Sequence, residues 1–205
     1  VLLNPSLKGK PIVVGGLAHE RGVAATASYE ARKYGVYSGM PLQEARRLCP
    51  RCIFLKGNFR LYSYFSERFF SILSRFTPYI EKASLDEAYL DLTPCTLIYP
   101  SIPEKAREVK ETAQKELGLS ISAGLASNRL LAKLATKRAK PGGFFWLSGD
   151  PLKFLKNLPV SELPGVGPKA LEVLRSLHIE TIGDLRSLSR KSLKEILGLW
   201  GEHLY

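Results

Sequence analysis

The sequence predicts a protein of the α+β class, in which helices and short strands are followed by a purely helical last part. Three observations carry this prediction. Apolar residues recur with the period of a helix over 61–76. Short runs of strand-like composition lie at 10–16 and 119–127. After the turn residues at 149–151 the chain continues as short helical segments, which indicates a domain boundary near residue 148.

The composition is that of a basic protein with an ordinary core. Apolar residues make up 45% of the 205 residues, and the net charge is +11. A basic surface favours a polyanionic partner, either a nucleic acid or an anionic membrane. No run of about 18 apolar residues exists, so no membrane span is predicted. The opening residues do not resemble a signal peptide, and we expect a cytoplasmic protein.

The three cysteines do not indicate a disulfide framework, because their number is odd. Cys49 and Cys52 have the spacing of half a zinc site, but no second half is present. We therefore expect reduced, ordinary thiols.

The first 57 residues predict one short strand and two short helices. The strand at 10–16 ends in two glycines. An apolar run at 22–27 leads into a short helix with Ser28 as N-cap and Gly35 as its C-terminal stop. A second helix covers 42–48 and is closed by Pro50.

Residues 58–147 predict a unit of helices and strands. The helix at 61–76 precedes an acidic turn, and an amphipathic helix follows at 103–117. The strand at 119–127 leads into another helix, which begins at Ser127 or Asn128 and runs towards Pro141.

Two acids, Asp86 and Glu87, stand side by side between two strand-like runs. Adjacent side chains of a straight strand point to opposite faces, whereas at the tip of a hairpin they converge. Two converging carboxylates repel each other, and Mg²⁺ is a natural cation to compensate their charge. A surface turn with two solvated acids is the alternative.

Two further stretches predict anion contacts. Thr26, Tyr29 and Arg32 follow one another at intervals of three, beside the start of a helix where free N–H groups favour anions. Lys133, Lys137 and Lys140 recur at intervals of four and three residues. Each set predicts a phosphate contact, with a solvated polar or basic helix face as the alternative.

The stretch "LPGVGPKALEVLRSL", residues 163–177, predicts a helix-hairpin-helix. Gly165 and Gly167 precede a helix, so backbone N–H groups there can approach an anion closely. The helix N-terminus and Lys169 add positive charge. This pattern is typical of contacts to DNA phosphates, with an ordinary helix-helix turn as the alternative.

Taken together, these stretches resemble the Y-family (translesion) DNA polymerases, most closely the DNA polymerase IV, or DinB-like, branch. The stretches "ATASYEARKYGVYSGMP" and "SLDEAYLD" are the most specific, and the resemblance covers essentially the whole chain. It implies a right-hand polymerase core, with 1–57 as fingers, 58–147 as a palm with a mixed antiparallel sheet and helices, and 148–205 as a helical thumb with the helix-hairpin-helix.

The resemblance also implies roles for individual residues. Asp86 and Glu87 would be the catalytic and metal-binding carboxylates, with two Mg²⁺ ions as cofactors. Small residues over the nascent base pair would leave room for damaged templates. The remaining roles are triphosphate contacts at Thr26, Tyr29, Arg32 and Lys140, the base-pair pocket at Ala25 and Gly39, and a grip on the DNA backbone at Gly165, Gly167 and Lys169.

The sequence departs from the family pattern at both ends. Family members open with a strand that carries Asp-x-Asp-x-(Phe/Tyr)-(Phe/Tyr), which supplies a further metal ligand and an aromatic that excludes ribonucleotides. Here the chain starts at Val1, and a C-terminal little-finger domain is also missing. We therefore expect a fragment of a longer product, which leaves the catalysis of this chain itself in question.

The function predicted by the resemblance is template-directed addition of dNTPs to a primer 3′ end by two-metal phosphoryl transfer. The partners would be primer-template DNA, dNTP and, through the absent C-terminal region, a sliding clamp. The chain would act as a monomer and not at a membrane. Two alternatives remain open: a non-catalytic DNA-binding protein that uses the helix-hairpin-helix, and a nucleotidyl cyclase with a palm-like fold.

Overall fold

The computed structural model describes the chain from Val1 to Leu204, and its side chains as far as Glu202. Tyr205, the last residue of the predicted thumb, lies outside the described residues. Helices and short strands are mixed up to residue 146, and in the described residues after it the regular elements are helices, as predicted for the α+β class. The chain forms two compact units: Val1–Ala88 with Leu117–Leu119, and Tyr89–Glu116 with the residues from Ser120 onward.

The elements have the following bounds. The strands are β1 (Ile12–Val14), β2 (Thr26–Ala27), β3 (Ile53–Leu55), β4 (Ile80–Lys82), β5 (Ala88–Leu90), β6 (Ala123–Leu125) and β7 (Phe144–Trp146). The helices are α1 (Tyr29–Arg32), α2 (Leu42–Leu48), α3 (Phe59–Leu73), α4 (Ile102–Leu117), α5 (Arg129–Ala139), α6 (Pro151–Lys156), α7 (Pro168–Ser176), α8 (Ile182–Arg186) and α9 (Arg190–Leu204).

The first unit is built around a three-stranded sheet with the order β2-β1-β3. β1 pairs antiparallel with β2, where Val13 lies opposite Ala27, and parallel with β3, where Val13 lies opposite Phe54. Val13 is completely buried at the centre of this sheet. It packs in a cluster with residues of α1 and α2, among them Ala31 and Leu42, so the short helices cover the sheet.

Cys49 and Cys52 form a disulfide in this cluster, so the expectation of reduced thiols is wrong for this pair. Their Cα atoms lie 5.4 Å apart, within the range that a disulfide requires. The turn between α2 and β3 brings them together, because the Cys52 N–H donates to the Cys49 carbonyl. An odd number of cysteines does not exclude a local pair: Cys95 remains as a buried thiol.

The helix predicted at 61–76 begins two residues earlier and ends three residues earlier, as α3. Asn58 explains the earlier start, because its side chain accepts the Leu61 N–H at 3.1 Å. The helix predicted at 103–117 agrees with α4. Of the apolar stripe that the sequence predicts for it, Val109, Ala113 and Leu117 are buried, whereas Ala106 is half-buried.

In the second unit, β6 and β7 form a two-stranded parallel sheet that α5 covers. Asn128, one of the two predicted caps, is the N-cap of α5: its side chain accepts the Leu131 N–H at 2.9 Å. Gly124 allows the helix to approach β6 closely, because a Cβ at this position would lie 2.5 Å from the Ala132 carbonyl oxygen. The predicted strand at 119–127 is thus reduced to the three residues of β6.

The helices from α6 onward share an apolar core with α5. Leu134, Val160 and Leu174 are fully buried in it, together with Leu158, Leu163, Ile179, Ile182, Leu185 and Leu193. A capping box of Thr181 and Asp184 starts α8. Hydrogen bonds of Asp184 with Thr181 lower the pKa of its carboxyl.

The two compact units do not coincide with the predicted fingers, palm and thumb, and that three-part division stays a prediction. None of the helices within residues 1–204 has the length and apolar character needed to cross a bilayer.

Candidate polymerase site

The predicted acidic turn joins β4 and β5. The Glu87 carbonyl accepts the N–H groups of Ala83 at 3.0 Å and of Ser84 at 3.2 Å, which reverses the chain. Ser84 donates its hydroxyl to Asp86 Oδ1 at 2.7 Å and accepts the Asp86 N–H at 3.3 Å. Asp86 and Glu87 are both exposed. The turn therefore presents two adjacent carboxylates to solvent, and one of them is oriented by a serine.

The predicted triphosphate contacts of the first unit lie on β2 and α1. Thr26 is the exposed first residue of β2, and Tyr29 and Arg32 are the first and last residues of α1. Tyr29 is 55% exposed. The Arg32 Nε donates to the Ala27 carbonyl at 3.0 Å, which uses one of the five donors of the guanidinium. Two hydroxyls and an arginine thus lie on one strand-turn-helix segment.

Ser28 fixes that segment to the sheet. Its Oγ accepts the N–H groups of Ile12 at 3.0 Å and of Ala31 at 3.3 Å. The single proton of the same hydroxyl has two acceptors within reach, the Lys10 carbonyl at 3.3 Å and the Glu30 carboxylate, and it is donated to one of them at a time. Hydrogen bonds from the Glu30 backbone N–H and from the Ser28 side chain lower the pKa of the Glu30 carboxyl.

One detail of the sequence prediction is corrected here. We expected free N–H groups at the start of this helix to attract an anion, but α1 has only four residues. Its Ala31 N–H is already bonded to Ser28. The side chains of Thr26, Tyr29 and Arg32 remain as the groups that could contact phosphates.

Ala25 and Gly39, the residues predicted for the base-pair pocket, belong to neighbouring segments. The Gly39 N–H donates to the Ala24 carbonyl at 2.7 Å, and the Ala24 N–H donates to the Met40 carbonyl at 2.8 Å. Gly39 has a φ of +93°, which favours glycine, and a Cβ placed there would meet nothing within 4 Å. Both residues are exposed, so the surface beside them is open.

The loop that leads to Ala25 is held at two places. Glu20 accepts the Leu17 N–H at 2.8 Å and forms an ion pair with Lys56 Nζ at 2.7 Å. The hydrogen bond from Lys56 is the main reason why the pKa of Glu20 is lowered. At Gly15, a Cβ would overlap the Val23 carbonyl oxygen, so the backbone there requires glycine for its close approach.

The predicted lysine face of α5 is partly committed to the fold of the second unit. Lys137 Nζ donates to the Glu162 carbonyl at 2.6 Å. Lys140 is exposed at the C-cap of α5 and is the member of this set that the resemblance implies as a triphosphate contact.

The predicted helix-hairpin-helix is present. Gly165 has a φ of +94°, and the Gly167 N–H donates to the Gly165 carbonyl at 3.0 Å. Gly167 is the N-cap of α7 and provides no side-chain cap for the first N–H groups of that helix. Gly165, Gly167 and Lys169 are all exposed. The hairpin therefore offers backbone donors and a positive charge together.

The donors of the acidic turn fit Mg²⁺, which takes oxygen ligands and is commonly held by one or two carboxylates plus substrate phosphates. Asp86 and Glu87 would supply those carboxylates. Among the side chains that the structure describes, as far as Glu202, no group of three or more His, Cys, Asp and Glu is close enough to hold a metal ion.

Sequence reasoning missed β3, β7 and the part that Trp200 takes in the hairpin. The short runs Ile53–Leu55 and Phe144–Trp146 are apolar enough to have predicted strands. The indole of Trp200 lies against Gly165, 35 residues earlier in the chain. No local pattern predicts such a contact.

The fold and the residues of these segments define a polymerase-like core of the α+β class. Residues 1–137 match the model of the impB/mucB/samB family, and residues 150–179 match the model described as the IMS family HHH motif. The chain belongs to the impB/mucB/samB family. The predicted resemblance to the DinB-like branch of the Y-family polymerases is confirmed, as is the predicted fold class.

Curated relatives include two proteins named DNA polymerase IV. One, from Dehalococcoides mccartyi (strain CBDB1), is 44% identical over 203 residues, which cover 98% of this chain and 52% of the relative. Another, from Listeria monocytogenes serotype 4b (strain CLIP80459), is 43% identical over 98% of this chain and 57% of the relative. The chain thus spans about half the length of the curated relatives it matches.

Solved structures show the same fold. DinB from Sulfolobus solfataricus matches with a TM-score of 0.89 and 34% identity, over 99% of this chain and 60% of that chain. An insertion ternary complex of Dbh DNA polymerase matches with a TM-score of 0.83 and 35% identity, over 96% of this chain and 59% of that chain.

Proposed function

We propose that this chain supplies the fingers (1–57), palm (58–147) and thumb (148–205) of a translesion DNA polymerase in the cytoplasm, which adds dNTPs to a primer 3′ end. The observation that carries the proposal is the turn of Asp86 and Glu87, with both carboxylates exposed and Asp86 oriented by Ser84. The relatives named DNA polymerase IV support it. Action as a monomer and contact with a sliding clamp stay predictions.

In the proposed reaction, the primer 3′-hydroxyl attacks the α-phosphate of the dNTP and pyrophosphate leaves. Asp86 and Glu87 would hold the Mg²⁺ ions, which would stabilise the attacking and leaving oxygens when bound. Arg32, Tyr29 and Thr26 hold the triphosphate. Since phosphoryl transfer depends mainly on positioning and electrostatics, these polar contacts are the chain's main contribution to the rate.

Three further residues complete the proposed substrate contacts. Lys140, exposed at the end of α5, adds a cation for the triphosphate. Ala25 and Gly39 leave space over the nascent base pair, because the first is small and a Cβ at the second would meet open space. That space is the physical basis of the proposed tolerance of damaged templates.

The thumb hairpin grips the DNA backbone in this proposal. Gly165 and Gly167 let the N–H groups at the start of α7 approach a phosphate, and Lys169 adds charge. The contact is independent of base sequence, as a polymerase that moves along its template requires.

A second candidate is a DNA-binding unit without catalysis. One observation favours it: no three potential metal-ligating side chains lie close together in the part of the chain that the structure describes. This candidate keeps the hairpin as a DNA contact but assigns no chemistry to Asp86 and Glu87. No observation favours the cyclase alternative.

Primer extension with Mg²⁺ and all four dNTPs separates the two candidates. It is run with the 205-residue chain and with the same chain extended by an N-terminal strand of the family pattern. In the form that extends primers, Asp86→Asn should lower the rate by about 1,000-fold, because a charged ligand of the transition-state assembly is lost. Duplex binding should change less than about twofold, since no phosphate contact is removed.

Glu67→Gln is the matched control, because Glu67 is an exposed acid of α3 in the same unit. It should extend primers at the normal rate. If neither form extends primers while both bind duplex, the DNA-binding candidate is correct. If Asp86→Asn keeps near-normal turnover, the assignment of the carboxylates is wrong.

A further inference from the structure

The last described helix is interrupted close to the hairpin that we propose as the DNA grip. Gly198 within α9 has φ +67° and ψ −151°, a backbone conformation outside the helical region. The chain therefore turns after Leu197 instead of continuing along the helix axis. This break decides where the next residues of α9 lie.

Two contacts hold the turned segment against the first part of α9. Gly201 is buried, and a Cβ at this position would lie 2.8 Å from Leu197 Cβ and overlap the Leu193 carbonyl oxygen. Glu202 forms ion pairs with Arg190 at 3.1 Å and with Lys194 at 2.9 Å. The C-terminal end of the segment between Gly198 and Glu202 is thus fixed against the first part of α9.

This turn places the side chain of Trp200 against the hairpin. A Cβ at Gly165 would lie 3.0 Å from Trp200 Nε1 and 3.2 Å from Trp200 Cζ2. The indole therefore covers the Cα of Gly165 without room for a larger residue. The hairpin is also anchored by Val166, which packs on the apolar core of α5 and α7.

We infer that Trp200 is a positioning residue for the DNA-binding hairpin: it holds Gly165 in the left-handed conformation that aims the N–H groups at the start of α7 towards a phosphate. The inference rests on the proposed DNA grip of the hairpin. Trp200 itself does not need to touch DNA in this role. The indole acts by confining a glycine backbone that is otherwise free to adopt many conformations.

The test measures binding of a labelled DNA duplex to the 205-residue chain by fluorescence anisotropy, over a series of salt concentrations. Trp200→Ala should weaken binding about tenfold and reduce the slope of log K against log salt by about one, because a hairpin that is no longer held loses a phosphate contact. Trp200→Phe, which keeps a ring over Gly165, should retain most of the affinity.

Leu199→Ala is the matched control, since Leu199 lies in the same turn and is 71% exposed. It should bind DNA like the unchanged chain. Gly198→Ala provides a second perturbation, because a Cβ there meets nothing within 4 Å but opposes the positive φ and moves the turn. It should reproduce the loss seen with Trp200→Ala.

The fluorescence emission of Trp200 also reports on occupation of the hairpin. The sequence contains two tryptophans, so Trp146→Phe leaves Trp200 as the sole indole. Its emission should change when duplex is added, because the hairpin beside it becomes occupied. An unchanged emission at saturating duplex would mean that DNA does not occupy the hairpin; the proposed DNA grip would then be wrong, and the inference that rests on it would fail with it.

The outcomes are distinguishable. If the unchanged chain does not bind duplex, the proposed DNA grip fails and this inference fails with it. If the unchanged chain binds and Trp200→Ala binds equally well with the same salt slope, only the positioning role is overturned. If Trp200→Ala is unfolded at the assay temperature, Gly198→Ala decides, and normal affinity in that variant overturns the role.

Discussion

Two serine-centred turns carry the predicted substrate contacts of the first unit, and they are held in different ways. Ser28 bonds to Ile12 and Lys10, which lie 16 and 18 residues away in the chain. Ser84 bonds to Asp86, two residues further on. The first turn is part of the tertiary structure, whereas the described bonds of the second serine are local.

This difference matches the chemistry that we propose for the two turns. Triphosphate contacts gain from a rigid frame, because a fixed arginine and fixed hydroxyls need no reorganisation when the nucleotide binds. The carboxylates of the other turn are exposed, and Ser84 orients Asp86 through hydrogen bonds within the turn. This turn is therefore accessible to a metal ion and to substrate phosphates from solvent.

The largest effect on stability is expected at Gly15, where the backbone after β1 packs against the loop that leads to the Ser28 turn. Gly15→Ala should lower the free energy of unfolding by about 3 kcal/mol, because the new Cβ would be forced into backbone atoms that cannot move aside independently. Its nearest neighbours would be the Val23 carbonyl oxygen and the Ala25 nitrogen. Urea denaturation measures this change.

Gly149→Ala is the control for this prediction, because a Cβ there meets nothing within 4 Å and no positive φ opposes it. It should change the free energy of unfolding by less than about 0.5 kcal/mol. Equal effects of the two variants would show that the close approach at Gly15 is not structurally important.

A direct test of the comparison replaces the two serines. Ser28→Ala should destabilise the chain by about 1–2 kcal/mol, because the N–H groups of Ile12 and Ala31 lose their acceptor. Ser84→Ala should cost less than about 0.5 kcal/mol, since the Ser84 turn is exposed and its described bonds are local. Thermal and urea unfolding of both variants under the same conditions measure the difference. Similar losses would contradict the distinction between a tertiary and a local turn.

Local patterns predicted the parts of the site that local structure determines. Ser28 was predicted as a cap, and Asn128 was one of two predicted candidates, because each is a capping residue type that precedes a helical segment. Both side chains accept the expected N–H. The acidic turn and the glycines of the hairpin were recognisable for the same reason. Their sequence neighbours are sufficient to form the turns.

Contacts between distant residues were not predictable in this way. The approach of Trp200 to Gly165 depends on the interruption of α9 at Gly198, and a single glycine in a helical pattern does not reveal its φ. The odd number of cysteines led to the wrong prediction of reduced thiols. The disulfide of Cys49 and Cys52 depends instead on the turn after α2, which brings the two residues together. The packing of α2 against β3 was likewise not predicted from the sequence and is seen only in the structure.

The smallest expected effect concerns the titration of Glu30. Hydrogen bonds from its own backbone N–H and from the Ser28 hydroxyl hold its pKa below the ordinary value of a glutamate. A carboxyl with a lowered folded-state pKa adds stability above its unfolded-state pKa, and this contribution is lost as the pH falls through the folded-state pKa.

Ser28→Ala removes one of the two donors, so the pKa of Glu30 should rise towards its ordinary value. NMR titration of the Glu30 side chain measures this shift, with Ser84→Ala as the control in which it should not occur. A pKa of Glu30 that is the same in both variants would mean that the Ser28 hydroxyl does not donate to the Glu30 carboxylate, and its proton would then be bonded to the Lys10 carbonyl alone.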